Sequence, residues 1–314
     1  MMSKSENTIK LSIGIPVFNG ERFIEDTINS IKFLKGNEDK IEVLVSDNCS
    51  TDNTEEIVKK FPFIKYYKNE TNVGYDRNVH NVFLKATGDF VWTIAADDVI
   101  VNESDIDEII NILELNEDCA LINVAGNGNL INKYNHYNGE EFFIGSKFQS
   151  GGVSSNIIKR ESWLNSNPSD FFDSEWIHFG VVINLVSISK SIVTKEKFIE
   201  ENILSVSMNK SWNVGGSSLA VMIKLSVLFN KMKHLNYSKV MQNNAKLVIK
   251  GDYPRAIIKA RANGLVVSKQ LILDFIACYY SFFSFWVIDL PFLLSPKWFC
   301  EFIYNKRNVF TESQ

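Results

Sequence analysis

Within the first hundred residues of this chain, four short apolar runs alternate with segments of helical period. KLSIGIPVF, IEVLVSD, FIKYYK and DFVWTIA read as strands, and the first two are nearly continuous in apolar residues. Such runs suit strands covered on both faces of a sheet. After the first run comes a turn at Asn19-Gly20, and then Ile24, Ile28, Ile31 and Leu34 recur at helical spacing. Asp52 with Glu55 three residues on has the form of a capping box. Gly74 precedes a helix expected over residues 76–86. Ser104 is placed to cap a helix whose apolar face is Ile106, Ile109, Ile110 and Leu113. Strand–helix alternation predicts an α/β fold with a mostly parallel sheet and right-handed crossovers. Ligands of such sheets bind beyond the carboxyl ends of the strands. The polar pairs Asn19/Glu21, Asp47/Asn48 and Asp97/Asp98 all fall at those ends. Three strands therefore deliver polar groups to one edge.

Beyond residue 119 the pattern is less regular. Strands are expected at 120–124, 152–158 and 191–194, and the Asn- and Gly-rich stretch 127–141 reads as loop. Helices are expected over 219–233, 238–250 and 254–263. The stretch FIACYYSFFSFWVI, and PFLLSPKWFCEFIYNKR after it, is too short for a spanning helix of about 20 residues. Two readings of this tail stand: a buried helix pair, or peripheral membrane contact through interfacial aromatics flanked by Lys306 and Arg307. Acidic residues outnumber basic ones, 37 to 33, which disfavours a nucleic-acid partner. Cys49, Cys119, Cys278 and Cys300 form no CxxC pair, so neither a zinc site nor a disulfide framework is indicated. The polar start MMSKSENTIK lacks the apolar core of a signal peptide, and the expected location is cytoplasmic.

The chemistry concentrates at the strand ends. Asp97 and Asp98 are adjacent carboxylates after an apolar strand, and their repulsion is relieved by a divalent cation. Mg²⁺ or Mn²⁺ binds through one or two carboxylates plus substrate phosphates. A solvated turn opening the next helix is the plainer alternative. In SDNCSTDNT most residues suit turn and capping chemistry, with Asp47 the exception, a base- or ribose-binding candidate. Arg77, near Gly74, can reach a phosphate or hold a carboxylate bidentately.

Together these pieces acquire a pattern. IPVFNGERFIEDTINSI, VLVSDNCSTDNTEEIV, NVGYDRNV and TGDFVWTIAADD, in this order and spacing, closely resemble family 2 glycosyltransferases of the GT-A fold. GYDRNV and SEWIHFG are most similar to bacterial O-antigen and capsule enzymes of the abequosyltransferase-like group. The resemblance implies a nucleotide-diphosphate-sugar donor and a divalent cation, Mn²⁺ or Mg²⁺. It implies that Pro16, Asn19 and Glu21 line the nucleoside pocket, Asp47 holds the base and Arg77 lies near base or diphosphate. Asp97 then faces ribose or metal, and Asp98 is the main metal ligand. Ala96 stands where many relatives carry the first Asp of a DxD. The family's Glu-Asp pair is absent from FFDSEWIHFG, so Glu175 is taken as the general base with Asp173 second. Trp176 and His178 are acceptor-side candidates, although a histidine among apolar residues commonly packs in a core. SWNVGGSS is either a loop closing over the donor or a linker.

The expected organisation is a GT-A domain over residues 8–215, with a nucleotide-sugar-binding half (8–115) and an acceptor half (116–215). A helical, aromatic-rich extension follows over 216–314. The expected reaction is inverting transfer of a sugar to a glycan hydroxyl, on an undecaprenyl-diphosphate-linked O-antigen or capsule unit at the inner membrane. A sugar nucleotidyltransferase and a non-catalytic nucleotide-sugar or glycan binder are the alternatives. FNGERF has one glycine and one arginine, little for a triphosphate loop.

Overall fold

The computed structural model describes residues 9–31, 37, 39–101, 104–202, 217–235, 237–251 and 253–311. The chain forms two compact units, Met1–Ser207 and Met208–Gln314.

In the first unit the four apolar runs become β1 (Leu11–Val17), β2 (Ile41–Asp47), β3 (Ile64–Lys68) and β4 (Phe90–Thr93). Between them lie α1 (Ile24–Ile31), α2 (Thr54–Val58) and α3 (Tyr75–Lys85). Next come β5 (Asp98–Ile100), α4 (Ser104–Leu115), β6 (Leu121–Asn123), β7 (Tyr134–Asn138) and α5 (Glu141–Gly145). β8 (Asn156–Lys159), α6 (Arg160–Asn165), α7 (Ile177–Ile188), β9 (Lys190–Thr194) and β10 (Ile199–Glu201) complete the unit. An eight-stranded sheet has the order β3-β2-β1-β4-β8-β6-β9-β7, and β5 pairs with β10 apart from it. The β3-β2-β1-β4 block is parallel throughout, while β8 and β7 run antiparallel to their neighbours.

β1 lies between β2 and β4, with Val17 opposite Asp47 and Gly14 opposite Thr93. A proline in a central strand normally breaks a ladder. Val17 accepts from Asn48 of the β2 side and Gly14 accepts from Ile94 of the β4 side. Pro16 therefore turns its missing N–H toward β4, past the last paired residue, where no ladder bond is lost. β2 is buried along its whole length, including Glu42. Burial pushes the Glu42 carboxyl up, but hydrogen bonds from Lys65, Ser12 and Thr87 outweigh it and hold it below the usual range.

α3 packs directly on β1. A Cβ on Gly14 would lie 2.1 Å from Val82 Cγ1, so only glycine allows this approach. Phe83 of α3 stacks on Trp163 of α6 with ring centroids 3.7 Å apart.

Several sequence expectations need correction. Residues 127–141 are not all loop, because Tyr134–Asn138 pairs antiparallel with β9. This polar edge strand owes its conformation to the partner strand, not to its own composition. The strand expected at 152–158 is confined to Asn156–Lys159, and Val153–Ser155 is a 3₁₀ turn. Glu55 does not close a capping box but pairs with Lys59 and Lys68. The cap expected of Ser104 rests on a side chain outside the described residues, as does the SWNVGGSS segment over 211–216.

The second unit is helical: α8 (Ser217–Phe229), α9 (Lys239–Lys250), α10 (Tyr253–Ala262) and α11 (Lys269–Tyr279). A π turn (Phe285–Asp289) leads into α12 (Leu290–Leu294) and α13 (Lys297–Thr311). Tyr253, Phe275, Tyr279 and Phe285 meet edge to face in its core. The buried Ser226 hydroxyl lies 2.7 Å from the Tyr253 hydroxyl and 2.6 Å from that of Tyr279. Lys250 Nζ neutralises the fully buried Asp289 at 2.7 Å. The tail thus buries Phe275, Tyr279 and Phe285 while Tyr280, Phe283 and Trp286 face outward. Among the described residues no helix is long and apolar enough to cross a membrane.

The contact at Gly14 yields a direct test. Gly14→Ala should lower stability by about 1–3 kcal/mol, as overpacking does. Adding Val82→Ala should return part of the loss. Equal denaturant midpoints for the single and double variants would mean that this contact does not limit the packing of α3.

Candidate active site

Parallel pairing brings the carboxyl ends of β1, β2 and β4 to one edge, and the site is built there. After β4 the chain turns through Ala95, Ala96 and Asp97 into β5, with the Asp98 N–H donating to the Ala95 carbonyl at 3.0 Å. Ser154 pins this turn. Its hydroxyl accepts from the Ala95 N–H at 2.8 Å and donates to Asp98 Oδ2 at 2.5 Å. Its carbonyl accepts from the buried Trp92 indole at 2.8 Å. On the other side, Thr27 donates to the Ala96 carbonyl and Asn202 to that of Asp97. Asp97 and Asp98 are both half-buried. The donors offered are hard carboxylate oxygens, which suit Mg²⁺ or Mn²⁺ rather than a thiophilic metal. No cluster of three or more His, Cys, Asp or Glu surrounds them among the described residues. That donor set fits an ion that completes its shell with substrate phosphates and water.

The β1 and β2 ends are knitted to each other. Asn19, at φ 53°, accepts from the Thr51 N–H at 2.9 Å, and its own N–H donates to Ser50 Oγ. Glu21 Oε2 accepts from the Asn53 N–H and side-chain amide, and the Glu21 N–H donates to Asp52. Asn19 and Glu21 thus hold two loops in register, and Pro16, half-buried, sits just before them. Asp47 is fully buried, accepting from the Ser50 N–H at 2.8 Å and the Tyr66 hydroxyl at 2.5 Å. Burial and the Asp47 charge push the Tyr66 hydroxyl well above its ordinary range. Asn48 is the hub toward α3. It donates to Asn72 and accepts from Asn69 and the Val73 N–H. Gly74 follows at φ 84°, a conformation that glycine adopts without strain.

α3 carries the link to the 171–178 segment. Arg77 grips Asp173 with both guanidinium nitrogens, at 2.6 and 3.3 Å, and lies 4.6 Å from the centre of the Phe172 ring. Asp76, buried, accepts from the Glu175 N–H at 2.8 Å and the Ile177 N–H at 3.1 Å, where α7 begins. A carboxylate there satisfies otherwise open N–H groups and complements the helix dipole. Asp173 and Glu175 have φ of 66° and 64°. Left-handed non-glycine residues are strained and concentrate at functional sites.

His178 is buried. Its Nε2 bonds the Gly151 carbonyl at 3.0 Å and its Nδ1 the Tyr75 hydroxyl at 3.2 Å. Burial lowers its pKa to about 4, so the ring is neutral at physiological pH. Of its two sequence readings, the packed one describes its position: it braces Tyr75 and the ring of Trp176, 5.6 Å away and half-exposed. Tyr75 has its hydroxyl pushed up by burial, with the Asp76 and Asp98 charges adding. Tyr75, itself 38% exposed, meets the 171–178 segment through His178.

Asp98 is assembled with Ser154, with Asp97 beside it in the same turn, and Arg77 with Asp173. Asp47, Asn19 and Glu21 are bound into the supporting loops. Sequence reasoning missed Ser154, Tyr75 and Asp76. Only Asp76 left a signal: it lies on the buried stripe of α3 with Val79 and Phe83, an acid on an apolar face.

The chain is similar to several known proteins. It is 29% identical to the abequosyltransferase RfbV of Salmonella typhimurium over 179 residues, covering 49% of this chain and 54% of that one. The chain thus spans about half the length of that relative. In fold it is similar to Staphylococcus aureus TarS 1-349 in complex with UDP-GlcNAc, with a TM-score of 0.55 and 19% identity. That likeness covers 88% of this chain and 81% of the TarS chain. The mannosyltransferase PcManGT of Pyrobaculum calidifontis, in complex with GDP-Man and Mn²⁺, superposes with a TM-score of 0.56 at 15% identity, covering 81% of this chain and 73% of its own. The family model for glycosyl transferase family 2 matches residues 12–171, from β1 through the Asp97–Asp98 turn and Ser154. With half of its length matching that model, and with the fold of such enzymes, the chain belongs to glycosyl transferase family 2.

Proposed function

We propose that this chain is an inverting glycosyltransferase. It moves a sugar from a nucleotide-diphosphate-sugar to a hydroxyl of a glycan acceptor. The observation that carries the reading is the Asp97–Asp98 turn, held by Ser154 at the edge where β1, β2 and β4 end. The donors in the TarS and PcManGT structures, and Mn²⁺ in the latter, support a nucleotide-sugar and a divalent cation here. Asp98, with Asp97, holds the ion, which when bound stabilises negative charge on the departing diphosphate. Asp47, Asn19, Glu21 and Pro16 shape the nucleoside side of the pocket.

The acceptor hydroxyl attacks the anomeric carbon as the bond to the diphosphate breaks, and a carboxylate takes the hydroxyl proton. Glu175 is taken as the base, because the Asp173 carboxylate is already engaged by both guanidinium nitrogens of Arg77. Trp176, backed by His178, offers a ring face to an acceptor sugar. The acceptor is an undecaprenyl-diphosphate-linked O-antigen or capsule unit at the cytoplasmic face of the inner membrane. A 33% identical match over 100 residues to a Campylobacter jejuni GalNAc(5)-diNAcBac-PP-undecaprenol beta-1,3-glucosyltransferase supports that choice, as do the outward aromatics of the tail.

A thermal-shift screen of UDP-, GDP-, CDP- and dTDP-sugars with Mn²⁺ or Mg²⁺ tests the core of the reading. One donor should stabilise the protein only with metal, and Asp98→Ala should abolish the effect. No stabilisation by any donor, with or without metal, would sink it. Ser154→Ala should raise the metal concentration needed for that shift by about 10- to 100-fold, as loss of an outer-sphere partner does. An unchanged metal titration would remove Ser154 from the site.

Glu175→Gln should lower turnover by about 10²–10⁴-fold while sparing the donor-induced shift. Glu175→Gly should lower it as much without lowering the melting temperature, since glycine tolerates φ 64°. Full turnover in either variant would pass the base role to another residue.

A further inference from the structure

Charge is distributed unevenly along this chain. From Met208 onward there are fourteen lysines and arginines against five acids, whereas the first 207 residues carry nineteen against thirty-two. The basic surplus belongs to the unit whose tail exposes its aromatics. Phe283 is 80% exposed, Trp298 68% and Tyr280 64%, and Trp286, Leu294 and Phe302 also face outward. On α13, Trp298, Phe302 and Lys306 follow at four-residue steps on one exposed stripe, while Cys300 on the opposite side is buried. The Lys306 ammonium sits 4.8 Å from the Phe302 ring centre. Leu294 and Trp298 flank the Ser295–Pro296 turn, so the outward apolar residues continue from one helix to the next. Arg255, Lys269 and Lys297 of the same unit are exposed as well.

Large outward apolar surface marks an interaction site. Trp and Tyr beside lysine match the boundary between headgroups and acyl chains, where amphipathic rings settle and long cationic side chains reach the lipid charge. A second copy of this chain is a poor occupant, since a two-fold contact would set the same basic surface against itself. We propose that the C-terminal unit docks this protein on an anionic lipid surface, inserting the outward aromatics of residues 280–302 between headgroups that its lysines and arginines neutralise. The docking deepens the proposed use of a lipid-linked acceptor and rests on that reading for its purpose. Its physics does not depend on catalysis.

The test is flotation of the full chain with vesicles of phosphatidylcholine alone or mixed with phosphatidylglycerol. The protein should float with the anionic vesicles, remain behind with neutral ones, and be released by about 0.5 M salt. Phe283→Ser/Trp298→Ser/Phe302→Ser removes only outward side chains, and it should reduce binding about tenfold or more. A melting curve confirms its fold. Lys297→Glu/Lys306→Glu should weaken binding to anionic vesicles alone. Absence of flotation with anionic vesicles overturns the proposal, as does equal flotation of the triple variant. So does a wild-type dimer in sedimentation that the triple variant dissolves while vesicle binding is unchanged. Donor-induced thermal shift on the same preparations reports on the transferase reading independently, because a chain that floats without binding donor fails only there.

Discussion

The parallel arrangement of β2, β1 and β4 is the constraint on which the rest of the first unit depends. Parallel strands end on the same side, so whatever follows each strand is brought to one edge. β1 can occupy the centre because Gly14 admits α3 and because the missing N–H of Pro16 points past the paired stretch. Helix and sheet then come close enough for polar groups to close the layer. Asn78 of α3 donates to the Ser46 carbonyl, and the Asn48 side chain gathers the loop that starts α3. Buried polar groups of this kind are stable only when fully bonded, which makes the edge rigid before any ligand arrives.

That rigidity bears on the chemistry. An ion held by one or two carboxylates needs those oxygens fixed in place, and adjacent aspartates on a surface turn would not provide that. Trp92, buried in β4, holds the Ser154 carbonyl, and the Ser154 hydroxyl holds both the Ala95 N–H and Asp98. The apolar core is thereby connected to the Asp98 carboxylate through a single residue. Toward the 171–178 segment, Asp76 reaches from α3 to the start of α7 and holds Glu175 by its backbone, at a φ that its side chain disfavours. The side chain of Glu175 is thus carried by a segment whose conformation is set elsewhere.

The second unit follows a different logic. Its core is a cluster of edge-to-face aromatics around buried hydroxyls and one neutralised acid, and that core consumes only part of the aromatic residues. The remainder face outward on a unit rich in basic residues. A helix that presents aromatics to both its core and its surface has a second environment to satisfy.

From the sequence alone, the four strands of the parallel block, the helices between them and the edge where polar groups collect were legible. Strand and helix periods, and residues such as Gly74 and Asp98, carry that information locally. The polar strand Tyr134–Asn138 was not legible, because its conformation comes from pairing with β9. Tertiary structure alone decided which polar residues are partners. Ser154 lies 56 residues from Asp98, Asp173 lies 96 from Arg77, and Asp76 lies 99 from Glu175. Hydrogen bonds and ion pairs over such separations depend on where the sheet and helices place each backbone, and no local period encodes it. For the same reason the sequence left His178 open between site and core. Both of its ring nitrogens are bonded within the chain, to Tyr75 and Gly151, residues that only the folded chain brings beside it.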